Sequence, residues 1–317
     1  MLNYKYKKIC PTPFVTVHTE KLTFFSSIKD LIVRILITKN IFVNSNRGPS
    51  EVEKRLIVNL QEINLPGSLQ IDWILNVNSE EAWAALKIDF DNLILGPNIE
   101  FEKSYVRDKI QHSRNSLILV PSEWVIPVLR ARLEWFKGRF VVWQSDIDAN
   151  YWKSAKRYKQ KQVLIYRKKD LFDDDFLAIK RSCNELRLKY KVVTYGKYSQ
   201  NSFRRALRKS RLAIWLGTTE SQGIALLECW SVNVPTFVRE SNTYSDEISG
   251  KTFVSSSAPY LNPACGEFIN MSTFTSESLR NFLLLSEHLK PREFVLQNYS
   301  KSKMSSELIE LFTTLNS

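Results

Sequence analysis

Short apolar runs alternate with longer amphipathic segments along most of the chain, a pattern that predicts strands alternating with helices. Buried strands are predicted within residues 31–43 and at residues 71–75, 92–95, 117–120, 139–143, 162–166, 191–195, 212–216 and 236–238. Helices are predicted over residues 173–188, 202–209 and 222–232 and through most of residues 278–317, whereas residues 252–275 are predicted to be irregular. Strands and helices that alternate without two-residue hairpin turns are typical of α/β proteins with parallel, doubly wound sheets.

The length of 317 residues exceeds what one hydrophobic core comfortably supports, so the sequence predicts two domains of about 150 residues each. A polar stretch at residues 144–152 separates the two series of predicted strands. We therefore divide the chain into residues 1–150 and residues 151–317. A hydrophobic content of 44% with 25% charged residues is typical of a soluble globular protein and excludes a disordered one.

The net charge of +12 is unevenly distributed. Residues 153–169 contain eight Lys or Arg and no acid, and residues 187–211 contain nine, again with no acid. Such clusters favour phosphate-bearing partners, which here means a nucleotide diphosphate, an anionic membrane face or nucleic acid. A solvated basic surface is the plain alternative for any one of these side chains.

Cysteine and histidine residues are few and scattered, so the sequence predicts neither a metal site nor a disulfide framework. They are Cys10, Cys183, Cys229 and Cys265, with His18, His112 and His288. No secretory signal is visible, and five charged residues interrupt the apolar residues 21–43, which therefore do not predict a transmembrane helix. These features predict a cytoplasmic protein that is soluble or at most peripheral at the inner membrane face.

The most informative stretch is residues 212–238, in which an apolar strand runs into a small polar turn, a helix and a second apolar strand. Ligands of open α/β sheets bind at the carboxyl ends of strands, and a helix that begins there offers free N–H groups to an anion. Glu220 lies in the turn. Glu228 interrupts the apolar run of the helix, where an uncharged helix former would pack better. The residues thus predict a site for an anion and a polyol.

Two short pieces of the first half offer weaker signals. Gly48 follows the first predicted strand, in a turn that leads to a helix with a Ser50–Glu53 capping box. Asn98 ends a Gly-Pro-Asn turn at the carboxyl end of the strand at residues 92–95. Both are candidate ligand contacts, and a plain turn is an equal alternative for Gly48.

Three segments together resemble the retaining GT-B glycosyltransferases of the broad group called family 4. Glu220 and Glu228 have the spacing of the E-x7-E segment of that family, with Gly223 between them and Val-Pro behind the helix. Residues 145–152 are similar to its interdomain segment, and residues 120–124 to the strand-to-helix turn that precedes it. The resemblance implies two Rossmann-like domains that face each other across a cleft, with the second domain holding the donor.

The resemblance also implies roles for individual residues. Glu220 would face the hydroxyls of the donor sugar as the catalytic carboxylate, and Glu228 would accept hydrogen bonds from the ribose hydroxyls. The backbone N–H groups of Gly223 and Ile224 would bind the diphosphate. The adjoining turn residues, Ser221 and Gln222, complete the predicted donor contacts.

Arg167 matches the phosphate-binding arginine of the family, and its charge would offset the charge on the leaving diphosphate. The family commonly places a lysine about five residues after this arginine, but Phe172 stands there, so Lys168 and Lys169 are the nearby cations. Which of the two assists Arg167 is left open.

The predicted reaction moves a sugar from a nucleotide diphosphate-sugar to a hydroxyl of a glycan or a lipid-linked acceptor, with retention. Neither a metal nor another cofactor is expected, because Arg167 and the helix start would serve the phosphates. A non-catalytic nucleotide-sugar or glycan-binding protein is one alternative. A basic nucleic-acid-binding protein is another, although the basic clusters show neither an interleaved stacking pattern nor a recognisable nucleic-acid-binding module.

Overall fold

The computed structural model describes residues 3–9, 15–23, 55, 71–74, 80–84, 86, 90–96, 101–154, 162–168 and 173–314. The chain forms two compact units. Unit 1 comprises residues 1–120, 130–143 and 307–317, and unit 2 comprises residues 121–129 and 144–306. The sequence divides the chain at residue 150, whereas the units change at Trp143, and two short segments group with the other half of the chain.

Unit 1 is built on a six-stranded sheet whose strands follow one another in chain order. They are β1 (Asn3–Ile9), β2 (Val15–Thr23), β3 (Ile71–Ile74), β4 (Asn92–Leu95), β5 (Asn115–Val120) and β6 (Arg139–Val142). The first pair is antiparallel, and every later pair is parallel. Strands β3 and β4 are buried at every position, as expected for a sheet covered on both faces.

Trp73 organises the core of unit 1. Its ring contacts Trp143 and Phe312 edge-on, at centroid distances of 6.4 Å and 6.0 Å. Its indole N–H donates to the carbonyl of Gly96 at 2.7 Å, which satisfies the one polar atom of a fully buried side chain. Gly96 has a φ of 92°, and a Cβ there would lie 3.1 Å from the carbonyl oxygen of Leu119. The turn after β4 therefore requires glycine.

Nine helices are described. They are α1 (Glu80–Ala84), α2 (Ser104–Ile110), α3 (Val125–Arg132), α4 (Asp173–Glu185), α5 (Gln200–Leu207), α6 (Ile224–Ser231), α7 (Ser276–Leu285), α8 (Pro291–Asn298) and α9 (Lys301–Thr314). Helices α5 and α7 begin with capping boxes at Ser199 and Thr275, which satisfy the first backbone N–H groups of each helix.

Unit 2 is built on a five-stranded parallel sheet in the order β13-β10-β9-β7-β8. The strands are β7 (Gln162–Arg167), β8 (Tyr190–Thr194), β9 (Ser210–Leu216), β10 (Thr236–Arg239) and β13 (Gly266–Ile269). Counted along the chain within this sheet, the order is 2-1-3-4-5, one of the two common orders of doubly wound folds. An antiparallel hairpin, β11 (Thr243–Asp246) with β12 (Lys251–Val254), stands between β10 and β13 in sequence.

Helices cover both faces of this second sheet. On one face Val163 and Ile214 pack in a cluster with Ile179 of α4 and Phe282 of α7. On the other face Tyr166 stacks on Trp215, with ring centroids 3.8 Å apart, and contacts Phe203 of α5. The predicted α/β class with two Rossmann-like units is therefore confirmed. The arrangement of the two units across a cleft stays a prediction.

Most predicted elements of the described residues are confirmed to within a few residues, but two predictions are wrong. Residues 252–275 contain most of β12 and all of β13 and are not irregular throughout. The chain also contains two antiparallel pairs, so its sheets are not all parallel. Strand β13 has buried ends and two exposed central residues, and such a short, half-exposed run gives no apolar signal. The strand predicted within residues 31–43 lies outside the described residues.

The junction of β13 with β10 gives a test of the fold. Gly266 has a φ of 150°, and a Cβ there would lie 1.8 Å from the carbonyl oxygen of Thr236. We expect Gly266→Ala to lower the free energy of unfolding by at least about 3 kcal/mol, because a backbone clash adds to conformational strain. Gly250→Ala is the matched control, since its φ of 66° is also positive but the space around it is open. Gly250→Ala should lower the free energy of unfolding by only about 1–2 kcal/mol. Chemical denaturation followed by circular dichroism compares the two, and equal losses would contradict the clash.

Candidate functional site

The strand order of unit 2 places a switch point between β7 and β9. From β7 the chain crosses first to β8 on one side and then to β9 on the other, so the connections diverge at this point. Register pairs Arg167 with Leu216 at the carboxyl ends, and the N–H of Lys168 donates to the carbonyl of Leu216 at 3.0 Å. Ligands of doubly wound sheets bind in the crevice at such a point.

The loop after β9 ends in a helix start that depends on glycine. Gly223 is the N-cap of α6 and has a left-handed conformation with a φ of 60°. No side chain caps this helix start, and the carbonyl of Gly223 accepts from the N–H groups of Leu226 and Leu227. Ile224 is the first helical residue, after the exposed Ser221 and the half-buried Gln222. An uncapped helix N-terminus of this kind favours an anion.

Lys168 and Glu220 meet across the switch point. The ammonium Nζ of Lys168 lies 3.0 Å from Oε1 of Glu220 and donates to the carbonyl of Thr219 at 3.4 Å. Both side chains are largely buried, at 25% and 18% exposed, so their interaction is less screened than that of a surface pair. The structure thus brings Lys168 to the predicted catalytic carboxylate, whereas Lys169 lies outside the described residues.

The backbone of Glu220 is held on both sides. Its N–H donates to the carbonyl of Ser256 at 2.8 Å, and its carbonyl accepts from the indole N–H of Trp124 at 2.9 Å. The Trp124 ring also contacts Tyr244 of β11, at a centroid distance of 5.4 Å. Sequence reasoning included Trp124 only as part of a resemblance and missed Ser256 altogether, because these contacts join residues far apart in the chain.

Burial raises the pKa of the Glu220 carboxyl above its ordinary value, and the charge of Lys168 offsets only part of this effect. Desolvation disfavours the charged form of a carboxylate, whereas a neighbouring ammonium favours it. A buried acid with a shifted pKa beside one cation, at a strand end, is typical of a functional site.

Glu228 is buried in α6, at 5% exposed. Its charge is felt at Tyr198, whose hydroxyl pKa is raised first by burial and then by Glu228. The Tyr198 hydroxyl lies 3.2 Å from that of Tyr166. The charge of a buried carboxylate therefore acts on Tyr198, a half-buried tyrosine that follows the carboxyl end of β8. Sequence reasoning missed both tyrosines, although the strand-end rule applied to β8 points to Tyr198.

Arg167 turns toward α4. Its Nη2 lies 2.6 Å from Oδ1 of Asp173, and its guanidinium lies 4.1 Å from the centre of the Phe176 ring. Both contacts are with the first turn of α4, whereas Lys168 contacts the loop after β9. Alternation along a strand explains the difference, because consecutive side chains point to opposite faces. A phosphate contact by Arg167 stays a prediction.

The remaining predicted residues, Gly48 and Asn98, lie outside the described residues. Within the part of the chain that the structure describes, no group of three or more His, Cys, Asp or Glu side chains could hold a metal ion. In the same part, no helix combines the length and the apolar character that crossing a membrane requires.

Neither protein family profiles nor curated proteins match this sequence. Solved structures do match the fold. TarM matches with a TM-score of 0.47 at 12% identity, over 76% of this chain and 54% of its own. Sucrose-phosphate synthase from Thermosynechococcus elongatus matches with a TM-score of 0.41 at 9% identity, over 84% of this chain and 77% of its own.

The catalytic domain of starch synthase IV from Arabidopsis thaliana, bound to ADP and acarbose, matches with a TM-score of 0.43 at 10% identity, over 95% of this chain and 82% of its own. These structures are of GT-B glycosyltransferases. The chain spans little more than half the length of TarM. Because every one of these TM-scores is below 0.5, the likeness carries no argument about the chemistry of this chain.

The raised pKa of Glu220 predicts a pH-dependent effect of Glu220→Gln. An acid whose pKa is raised on folding contributes stability below its unfolded pKa, and this stability is lost as the pH rises through the folded pKa. The glutamine variant imitates the neutral acid at every pH. We therefore expect its melting temperature to rise relative to the wild type as the pH increases from about 4, near the ordinary carboxyl pKa.

Glu240→Gln is the control for this measurement, because Glu240 is exposed on the same unit. Thermal denaturation of the wild type and of both variants across the pH range gives the comparison. A difference in melting temperature between Glu220→Gln and the wild type that does not change with pH would contradict the raised pKa of Glu220.

Proposed function

We propose that the chain is a glycosyltransferase that moves a sugar from a nucleotide diphosphate donor to a hydroxyl acceptor. The observation that carries the proposal is the meeting of Lys168 and Glu220 at the switch point, beside the uncapped start of α6. A cation and free helix N–H groups suit a diphosphate, and carboxylates suit the hydroxyls of a sugar. The buried Glu228, on the same helix, supplies the second carboxylate.

In the proposed reaction, the bond between the anomeric carbon and the diphosphate breaks as the acceptor oxygen bonds to that carbon. Negative charge then builds on the departing diphosphate, and the Lys168 ammonium with the N–H groups of Gly223 and Ile224 would stabilise it. Arg167 would add a second cation if it exchanges the exposed Asp173 carboxylate for a phosphate. The proton of the acceptor hydroxyl would pass to an oxygen of the diphosphate.

Glu220 would hold the hydroxyls of the donor sugar through its carboxylate. This carboxylate is bound to Lys168, so phosphates that take up the ammonium would free the carboxylate for the sugar. Glu228 would bind the ribose hydroxyls. With these cations and N–H groups facing the phosphates, we propose that the reaction requires no metal.

Retention at the anomeric carbon is part of the proposal and rests on the sequence resemblance. A glycan or lipid-linked acceptor and a cytoplasmic location also stay predictions.

Donor binding tests the site. We expect Lys168→Met and Glu228→Gln each to weaken binding of the preferred nucleotide diphosphate-sugar by about 10- to 100-fold, because each removes a charge-assisted hydrogen bond. A thermal-shift screen of UDP-, GDP- and ADP-sugars identifies the donor, and calorimetry measures its affinity. Lys209→Met is the matched control, since Lys209 is exposed and precedes β9 at the opposite edge of the same sheet. Unchanged affinity in both site variants would refute the assignment.

A measurement of turnover distinguishes an enzyme from a protein that only binds the donor. We expect Glu220→Gln to lower the rate of donor hydrolysis or transfer by about 100-fold, a loss typical of removing one preorganised catalytic contact, while UDP, GDP or ADP alone binds nearly as before. The measurement is release of the nucleoside diphosphate with and without a chelator. Donor binding by the wild type without any release would favour the non-catalytic alternative, and complete loss with the chelator would contradict a metal-free reaction.

A further inference from the structure

Four exposed basic side chains cluster at the amino edge of the sheet of unit 2, opposite the donor site. They are Arg187, Lys189, Arg208 and Lys209, called the basic edge below. The N–H of Val163 donates to the carbonyl of Lys189 at 2.8 Å, and the N–H of Gln162 donates to that of Lys209 at 3.2 Å. Lys189 and Lys209 therefore flank the start of β7, and two strand spacings put their backbones roughly 10 Å apart.

Acids do not neutralise the basic edge locally. The sequence contains no Asp or Glu between residues 187 and 211. On the packed helices, the carboxylate of Glu287 lies 3.0 Å from Arg211, which offsets its charge, whereas the carboxylate of Glu185 accepts from the neutral hydroxyl of Ser276. The four side chains thus present a concentrated positive charge to solvent.

Helix ends explain three of these four side chains. Arg208 is the C-cap of α5, and Arg187 and Lys209 each lie two residues beyond the end of a helix, α4 and α5 respectively, where a cation stabilises the helix dipole. Lys189 instead stands directly before β8, four residues beyond the end of α4, so a helix terminus does not require its charge.

Exposed apolar side chains lie beside the basic edge. Leu284 and Leu285 end α7 and are 62% and 43% exposed. The N–H of Glu287 donates to the carbonyl of Leu284, and the carboxylate of Glu287 binds Arg211, two residues from Lys209. Cations beside exposed leucines suit the headgroup and acyl boundary of a membrane, whereas single-stranded nucleic acid would call for exposed aromatic residues among the cations.

We propose that the basic edge, with Leu284 and Leu285, is a binding surface for an anionic lipid bilayer. The lysines and arginines bind the lipid phosphates, and the two leucines enter the boundary between headgroups and acyl chains. This places the membrane contact at the edge of the sheet opposite Lys168 and Glu220. The proposal does not depend on glycosyl transfer, because its residues take no part in the donor site.

The test is sedimentation of the full chain with phosphatidylcholine vesicles that contain or lack phosphatidylglycerol. We expect binding only to the anionic vesicles, with release as salt screens the charges. Each basic residue near an anionic leaflet contributes a factor of about five in partitioning, so Lys189→Gln with Lys209→Gln should weaken binding by about 30-fold.

The matched control is Lys197→Gln with Lys251→Gln, which removes the same charge from exposed positions away from the basic edge. It should bind the anionic vesicles much as the wild type does. The double variant Leu284→Ser and Leu285→Ser should show a smaller fraction bound to the vesicles, at salt concentrations that leave part of the wild type bound. All variants are first shown to melt at the wild-type temperature.

Two results would overturn the proposal. One is equal weakening by the two lysine pairs, which would show a dependence on net charge alone. The other is tight binding of a single-stranded RNA that is lost in the variant of Lys189 and Lys209, while none of the proteins binds anionic vesicles. That result would assign the basic edge to nucleic acid.

Discussion

The pairing of β7 with β9 is the interaction on which the candidate site depends. Both strands are buried along most of their length, and their parallel register ends with Arg167 opposite Leu216. The hydrogen bond from the N–H of Lys168 to the carbonyl of Leu216 continues this pairing one residue further. A slip of one residue would turn every side chain to the opposite face, so burial of both faces fixes the position of Lys168.

The site places charges where burial is costly. Glu220 is largely buried and Glu228 is buried, so two carboxylates leave water within nine residues of chain, in a unit that also buries Asp146 and Asp246. Removing a carboxylate from water is unfavourable unless a partner compensates, and Lys168 compensates Glu220 only in part, as its raised pKa shows. The hydroxyls of the proposed donor would offset the part of this cost that remains for Glu220.

The two edges of the second sheet differ in chemistry. At the carboxyl edge, Lys168 pairs with Glu220 in the loop that leads to the uncapped start of α6. At the amino edge, exposed cations spread over the starts of the strands without convergent acids. Parallel strands make this separation possible, because all strand ends of one kind lie at the same edge. The two proposed partners, a small anionic ligand and an extended anionic surface, would therefore contact opposite edges of one sheet.

The sequence by itself determined the alternation of strands and helices, the α/β class and the stretch from β9 through α6 that holds both carboxylates. These features are local, since apolar runs, glycine turns and helix signals act within a few residues. The sequence pattern did not predict strand β13 or the hairpin of β11 and β12, because their half-exposed residues carry no periodic apolar signal.

Only the tertiary structure decided which residues meet. It paired Lys168 with Glu220, turned Arg167 toward Asp173, and brought Trp124 to the carbonyl of Glu220 across 96 positions of the chain. The order of strands in the sheet set the contact of Lys168 with Glu220, and no local pattern encodes that order. The sequence alone therefore indicates which chemical groups belong to the candidate site, and long-range packing determines which of these groups contact each other.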